Sequence, residues 1–129
     1  MITLDAGVLI AYLRPEDGHH AAAVEWLAAN VLDEFGVSVV TLAEALVHPA
    51  EAGVVDTARR SLEKLGIMPV PAVAGEEARI ARVRAETRLR MPDAIVVHTA
   101  EAVGGGLATT DARVARAAQA RGIEAHLVG

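Results

Sequence analysis

Residues 1–13 read MITLDAGVLIAYL, an almost wholly apolar stretch with Asp5 in its middle. MITL has the character of a buried strand, and the residues from about Asp5 to Leu13 read as a helix. A strand passing straight into a helix is the opening of an α/β unit. An ionised carboxylate in apolar surroundings is costly unless it is paired or hydrogen-bonded. Asp5 therefore needs a partner that the rest of the chain must supply.

The pattern continues along the chain. RPEDG is a turn, His19 to Phe35 reads as a long Ala-rich helix, and GVSVV as a second strand. TLAEALVH is helical, and Val54 to Leu65 carries apolar residues at helical spacing with Gly66 as its stop. IMPVPAV is a third strand, Glu76 to Arg90 and Pro92 to Val103 are helices, and GLATT is a fourth strand. Asp111 to Arg121 is a helix ended by Gly122, and EAHLV is a fifth strand. Strands alternating with helices imply parallel pairing through right-handed crossovers. Pro69 and Pro71 cannot donate to a ladder, which places the third strand at an edge. In such sheets ligands bind beyond the carboxyl ends of the strands, where the strand order reverses.

The 129 residues suffice for one domain with a substantial core, and 53% of them are hydrophobic, which argues against disorder. With one Trp, one Tyr and one Phe, that core must be aliphatic. No apolar run approaches the roughly 20 residues of a membrane helix. A signal peptide is not expected, since no basic segment opens the chain and Asp5 interrupts its apolar run. The absence of cysteine excludes disulfides and thiolate metal sites and fits a cytoplasmic location. The net charge of −5 is unlike that of a protein held to nucleic acid by non-specific phosphate contacts. Action on nucleic acid would require bound cations or a local arginine patch.

Four acids fall at strand ends or helix starts: Asp5, Glu44, Asp93 and Asp111. Each has a structural reading. Asp5 and Asp111 suit helix N-caps, Glu44 completes a capping box with Thr41, and Asp93 after Pro92 suits the positive end of a helix. Capping, however, is served as well by Ser, Thr or Asn. If the acids converge, their charges repel and at least one pKa rises. A divalent ion resolves the repulsion. Mg²⁺ prefers oxygen ligands and retains several waters, and such ions activate water for phosphodiester cleavage.

The segments LDAGVLIAYL, VVTLAEAL, RMPDAIVVHTA and LATTDARV, in that order, resemble PIN-domain proteins, specifically the VapC-type toxins of bacterial toxin–antitoxin pairs. The resemblance spans nearly the whole chain, so that residues 1–129 form one PIN domain. It implies a parallel five-stranded sheet of order 3-2-1-4-5 flanked by helices. That order agrees with an edge position for the proline-bearing strand and sets Asp5 beside Asp111. It implies that Asp5, Glu44, Asp93 and Asp111 hold Mg²⁺ or Mn²⁺. Thr109, in the T-x-D pattern, would hydrogen-bond a carboxylate or a water on the ion. It further implies an endoribonuclease, a dimer and inhibition by a cognate VapB-type antitoxin. After the last acid, Arg113, Val114 and Arg116 stand where many relatives carry an aromatic or another polar group, and no fifth acidic ligand is expected.

Among the five arginines between Arg79 and Arg90, helical spacing pairs Glu86 with Arg82 and Arg90. Arg84 and Arg88 lie on another side without an acidic neighbour and are candidates for contact with RNA or an acidic partner. The histidines, His98 included, read as structural, and Gly104 to Gly106 as a turn. Two rivals differ in class from a nuclease. A phosphoacceptor domain would also gather acids, but it needs a lysine at a strand end, and Lys64 lies mid-helix. A catalytically inactive, partner-binding PIN-like module would use the acids as caps only.

Overall fold

The computed structural model describes all residues, Met1–Gly129. Its strands are β1 (Ile2–Leu4), β2 (Phe35–Ser38), β3 (Ile67–Val70), β4 (Leu107–Thr109) and β5 (Ala125–Leu127). Its helices are α1 (Ala6–Leu13), α2 (His20–Ala29), α3 (Val39–Glu51), α4 (Val55–Lys64), α5 (Glu76–Thr87), α6 (Met91–Val103) and α7 (Ala112–Ala120). The strands pair in parallel in the order β3-β2-β1-β4-β5. The expected topology is therefore the observed one, with Pro69 on an edge strand.

Both faces of the sheet are covered. Ile2, Leu4, Phe35, Val37 and Ala108 join one apolar cluster with residues of α1 to α4. Leu107, the neighbour of Ala108, points the other way into a second cluster built largely from α5, α6 and α7. Leu4, Leu9 and Leu107 are wholly buried. Each would cost about 2–5 kcal/mol on truncation to Ala. The core is aliphatic, as the composition requires.

Several boundaries differ from the sequence reading. The helix expected to reach Phe35 stops at Ala29, because the side-chain amide of Asn30 donates to the Trp26 carbonyl at 2.8 Å and a turn follows. Phe35 opens β2 and is buried in the sheet. The strand read as GVSVV ends at Ser38, and Val39 and Val40 begin α3. Ser38 is the N-cap of that helix, its Oγ accepting from the Thr41 amide at 3.1 Å. The capping box of Thr41 and Glu44 is thus not formed, and Glu44 lies a turn further in, free of backbone duty.

The helix expected to run to Arg90 ends at Thr87, whose hydroxyl donates to the Val83 carbonyl at 2.7 Å and accepts from Leu89 N–H at 3.3 Å. Arg88 then adopts the left-handed conformation at φ 59°, and α6 starts around Pro92. Glu86 does not pair with Arg82 or Arg90. Arg121, at the end of α7, takes it at 2.6 Å and also holds Glu101. These two hydrogen-bonded carboxylates raise the guanidinium pKa further and tie α5, α6 and α7 together.

Candidate active site

The site begins with register. Leu4 pairs with Ala108, so the next residues, Asp5 just past β1 and Thr109 at the end of β4, lie side by side. Asp5 N–H donates to the Ala108 carbonyl at 2.9 Å. The Asp5 carboxylate is buried and caps α1, its Oδ1 accepting from Ala6 N–H at 2.7 Å. Its Oδ2 accepts from the Thr109 hydroxyl at 2.6 Å. Thr109 Oγ1 in turn accepts from Asp111 N–H at 3.0 Å, and Asp111 Oδ1 caps α7 through Arg113 N–H at 2.8 Å. One buried hydroxyl therefore bonds the Asp5 carboxylate and the Asp111 backbone, from opposite ends of the sequence, at the carboxyl ends of β1 and β4.

Capping and convergence are compatible here. For Asp5 and Asp111 the cap occupies one carboxylate oxygen. Asp93 lies in the first turn of α6, and Glu44 is on an exposed face of α3. The fields of these groups overlap. Burial, above all, pushes the Asp5 carboxyl up; the Thr109 and Ala6 hydrogen bonds pull it down, while Asp93 and Asp111 push it up again. Glu44 is raised first by partial desolvation, then by Asp5 and Asp93, with Arg90 opposing. Asp5 is thus central, Asp93 is felt by both Asp5 and Glu44, and Asp111 flanks Asp5.

No three His, Asp or Glu side chains converge tightly enough to hold an ion directly as the chain stands. The donor set is nevertheless all oxygen, its members repel one another, and the guanidinium of Arg90 already stands against Asp93 as a cation. These features suit a hard divalent ion that keeps much of its water and uses few carboxylates directly. Clefts of about 380 Å³ and 350 Å³ lie elsewhere, one beside Met1 and His126 and the other beside Leu13 and His48.

The sequence reading did not single out Gly7, Thr110 or Arg90 for the site. A Cβ on Gly7 would come within 2.4 Å of Thr110 Oγ1, so a side chain there would force the Thr110 hydroxyl, or the first turn of α1, to shift. Gly7→Ala should therefore separate the Asp5 and Asp111 ends and cost about 1–3 kcal/mol through overpacking. Adding Thr110→Ala should recover most of that loss, and thermal melts of the single and double variants test it. The histidine reading holds for His98, whose buried ring pairs with Glu76 at 3.1 Å and joins α6 to α5.

The model of the PIN domain family matches residues 2–120. The chain belongs to the PIN-domain family. PIN domains are typically metal-dependent nucleases. Among curated proteins the chain has no match. Solved structures similar to this PIN domain include a toxin–antitoxin complex from Klebsiella pneumoniae, at 22% identity and TM-score 0.72, over 86% of this chain and 87% of that one. FitAcB from Neisseria gonorrhoeae is similar at 23% identity and TM-score 0.71, over 98% and 96% of the two chains. FitAB bound to an IR36 DNA fragment is similar at 22% identity and TM-score 0.74, over 98% and 94%. At these identities the likeness is one of fold, and the chemistry of this PIN domain has to be argued from its own residues.

Proposed function

We propose that this PIN domain is a metal-dependent endoribonuclease and the toxin of a VapBC-type toxin–antitoxin pair. The observation that carries the reading is the buried Thr109 hydroxyl bonded both to the Asp5 carboxylate after β1 and to the Asp111 amide after β4, in a PIN fold. Asp5, Glu44, Asp93 and Asp111 would hold Mg²⁺ or Mn²⁺. A divalent ion there supplies an acidified water and neutralises charge on the phosphodiester. Asp5 and Thr109 form the rigid floor. Asp111, Asp93 and Glu44 would add carboxylates from the start of α7, the first turn of α6 and α3.

RNA reaches this acidic protein through local cations. Arg84, on α5, and Arg88, just past its end, are exposed and make no ion pair. They are the proposed phosphate contacts beyond the acids. The similar structures include complexes with antitoxins, which supports a VapB-type antitoxin as partner of this chain. Such an inhibitor would send a basic side chain, best an arginine, toward the four acids, because charge-assisted bidentate pairing is strongest there. A homodimer follows from the family resemblance. No helix is long and apolar enough to cross a membrane; the proposed location is the cytoplasm.

The test is cleavage of a broad pool of structured RNA by antitoxin-free protein, with Mg²⁺, with Mn²⁺ and with chelator. Cleavage that needs the ion is the expected result. Folded protein that takes up neither ion in calorimetry and leaves the pool intact would instead be a partner-binding module.

A further inference from the structure

Arg90 is placed differently from the position its helical spacing suggested. Spacing paired it with Glu86; in the structure Arg121 holds Glu86 and Arg90 turns toward the acids. Its backbone is set by what precedes it. Thr87 anchors Leu89 N–H, Leu89 is buried in the core, and Arg90 itself is extended at the start of α6. The side chain is not held in the same way. Its one side-chain contact is Nε to Asp93 Oδ2, at 3.5 Å, the far limit of a hydrogen bond. The Arg90 side chain is 76% exposed, whereas the Asp93 side chain is only 13% exposed. The remaining N–H groups of the fork have no protein acceptor.

Arg90 is also the cation whose field reaches Glu44. It thus stands where positive charge is wanted, in a contact weak enough to exchange. Exposed pairs of this kind hold by about 0–1 kcal/mol at most. A divalent ion among the carboxylates would compete with the guanidinium for Asp93. A phosphodiester would offer the freed fork a better acceptor, since arginine matches phosphate bidentately.

We infer that Arg90 is a substrate-positioning residue that exchanges partners: it pairs with Asp93 when the acids hold no ion, and grips an RNA phosphate beside them when they do. The inference rests on the nuclease reading and deepens it. It also makes Arg90 an internal competitor of the metal, so that ion and substrate loading become linked through one side chain. The reciprocity is thermodynamic: the factor by which bound ion raises phosphate affinity is the factor by which bound phosphate raises ion affinity.

The test uses the full chain and two variants, Arg90→Gln and Arg90→Lys. Calorimetry reads Mn²⁺ affinity without turnover. Binding of a randomised, single-stranded phosphorothioate RNA in Mn²⁺, followed by anisotropy across salt concentrations, reads the phosphate contact. Arg90→Gln is expected to bind Mn²⁺ about threefold to tenfold more tightly, the scale of one unit charge acting on a divalent ion across several ångströms of water-like dielectric. The same variant should bind RNA more weakly, with the slope of log K against log salt shallower by about 0.7, the value for one phosphate contact on a single strand. Arg90→Lys should keep the parental slope and lose affinity, because it retains the charge without the fork. In a parent that binds RNA, an Arg90→Gln protein with parental Mn²⁺ affinity or parental salt slope overturns the exchange. A parent that binds Mn²⁺ yet neither binds nor cleaves RNA overturns the nuclease reading instead.

Discussion

Asp5→Asn is expected to abolish metal-dependent RNA cleavage while leaving the protein folded, and to make the metal-free protein more stable at neutral pH. The substitution keeps an acceptor for Ala6 N–H, and the new amide can donate to Thr109 Oγ1, at the cost of the acceptor that the Thr109 hydroxyl had in Asp5 Oδ2. It removes the negative charge at the centre of the acid cluster. Loss of an outer partner of a metal site typically costs about 10–100-fold in affinity or activity; loss of the central carboxylate should exceed that. The stability change has the opposite sign for a physical reason. Burial holds the Asp5 carboxyl above its ordinary value of 3.8, reinforced by Asp93 and Asp111. The folded state therefore takes up a proton more readily than the unfolded chain. The stability that protonation provides is fully present below the unfolded value and is lost as pH rises through the folded one. Asparagine escapes that loss. Melting curves in chelator should show the variant above the parent at neutral pH, with the gap closing as the medium approaches and passes below 3.8. A variant less stable than the parent at neutral pH would mean that the Thr109 bond outweighs the burial of charge.

The second large effect is expected at Thr109. Thr109→Val preserves shape and removes the hydroxyl that donates to Asp5 and accepts from Asp111 N–H. A hydrogen bond to a buried charged group contributes about 1.5–3 kcal/mol, and the orphaned Asp111 amide adds to the loss. The variant should therefore be destabilised by about 2–4 kcal/mol at neutral pH. The deficit should shrink in acid, where Asp5 is protonated. Activity should fall by about 10–100-fold, as for a group that orients a ligand without replacing it. Thr109→Ser should restore both quantities. Urea unfolding at two pH values, beside cleavage rates, separates the contribution to folding from the orientation of the carboxylates.

Much of this molecule was legible from local signals. The apolar run MITL, the helix-breaking glycines and the prolines of IMPV act over a few residues, so their sequence spacing carries their meaning. The edge position of β3 follows from missing N–H groups, which is a property of proline alone. Asp5 and Asp111 were also visible, since a charged residue at the junction of a buried strand and a helix is conspicuous wherever it occurs. Both turned out to cap their helices as well, one oxygen serving the backbone.

What the sequence left open were choices between partners of similar local merit. Thr41 and Ser38 are both competent N-caps; the length of β2 in the sheet selected Ser38, and this left Glu44 free. Phe35 fits the end of a helix or the start of a strand, and burial against the first core cluster decided for the strand. Helical spacing offered Glu86 to Arg82 and Arg90, but the end of α7 brought Arg121 to it. That exchange turned Arg90 toward Asp93. The closeness of Gly7 to Thr110, and the single hydroxyl shared by Asp5 and Asp111, join residues more than a hundred positions apart. The sequence by itself determined the kinds of element, their parallel pairing and the acids at their ends, because periodicity and capping are local, while the strand order was implied by the family resemblance. Only the tertiary structure decided which side chains those acids meet, because that depends on which strand ends the register places side by side.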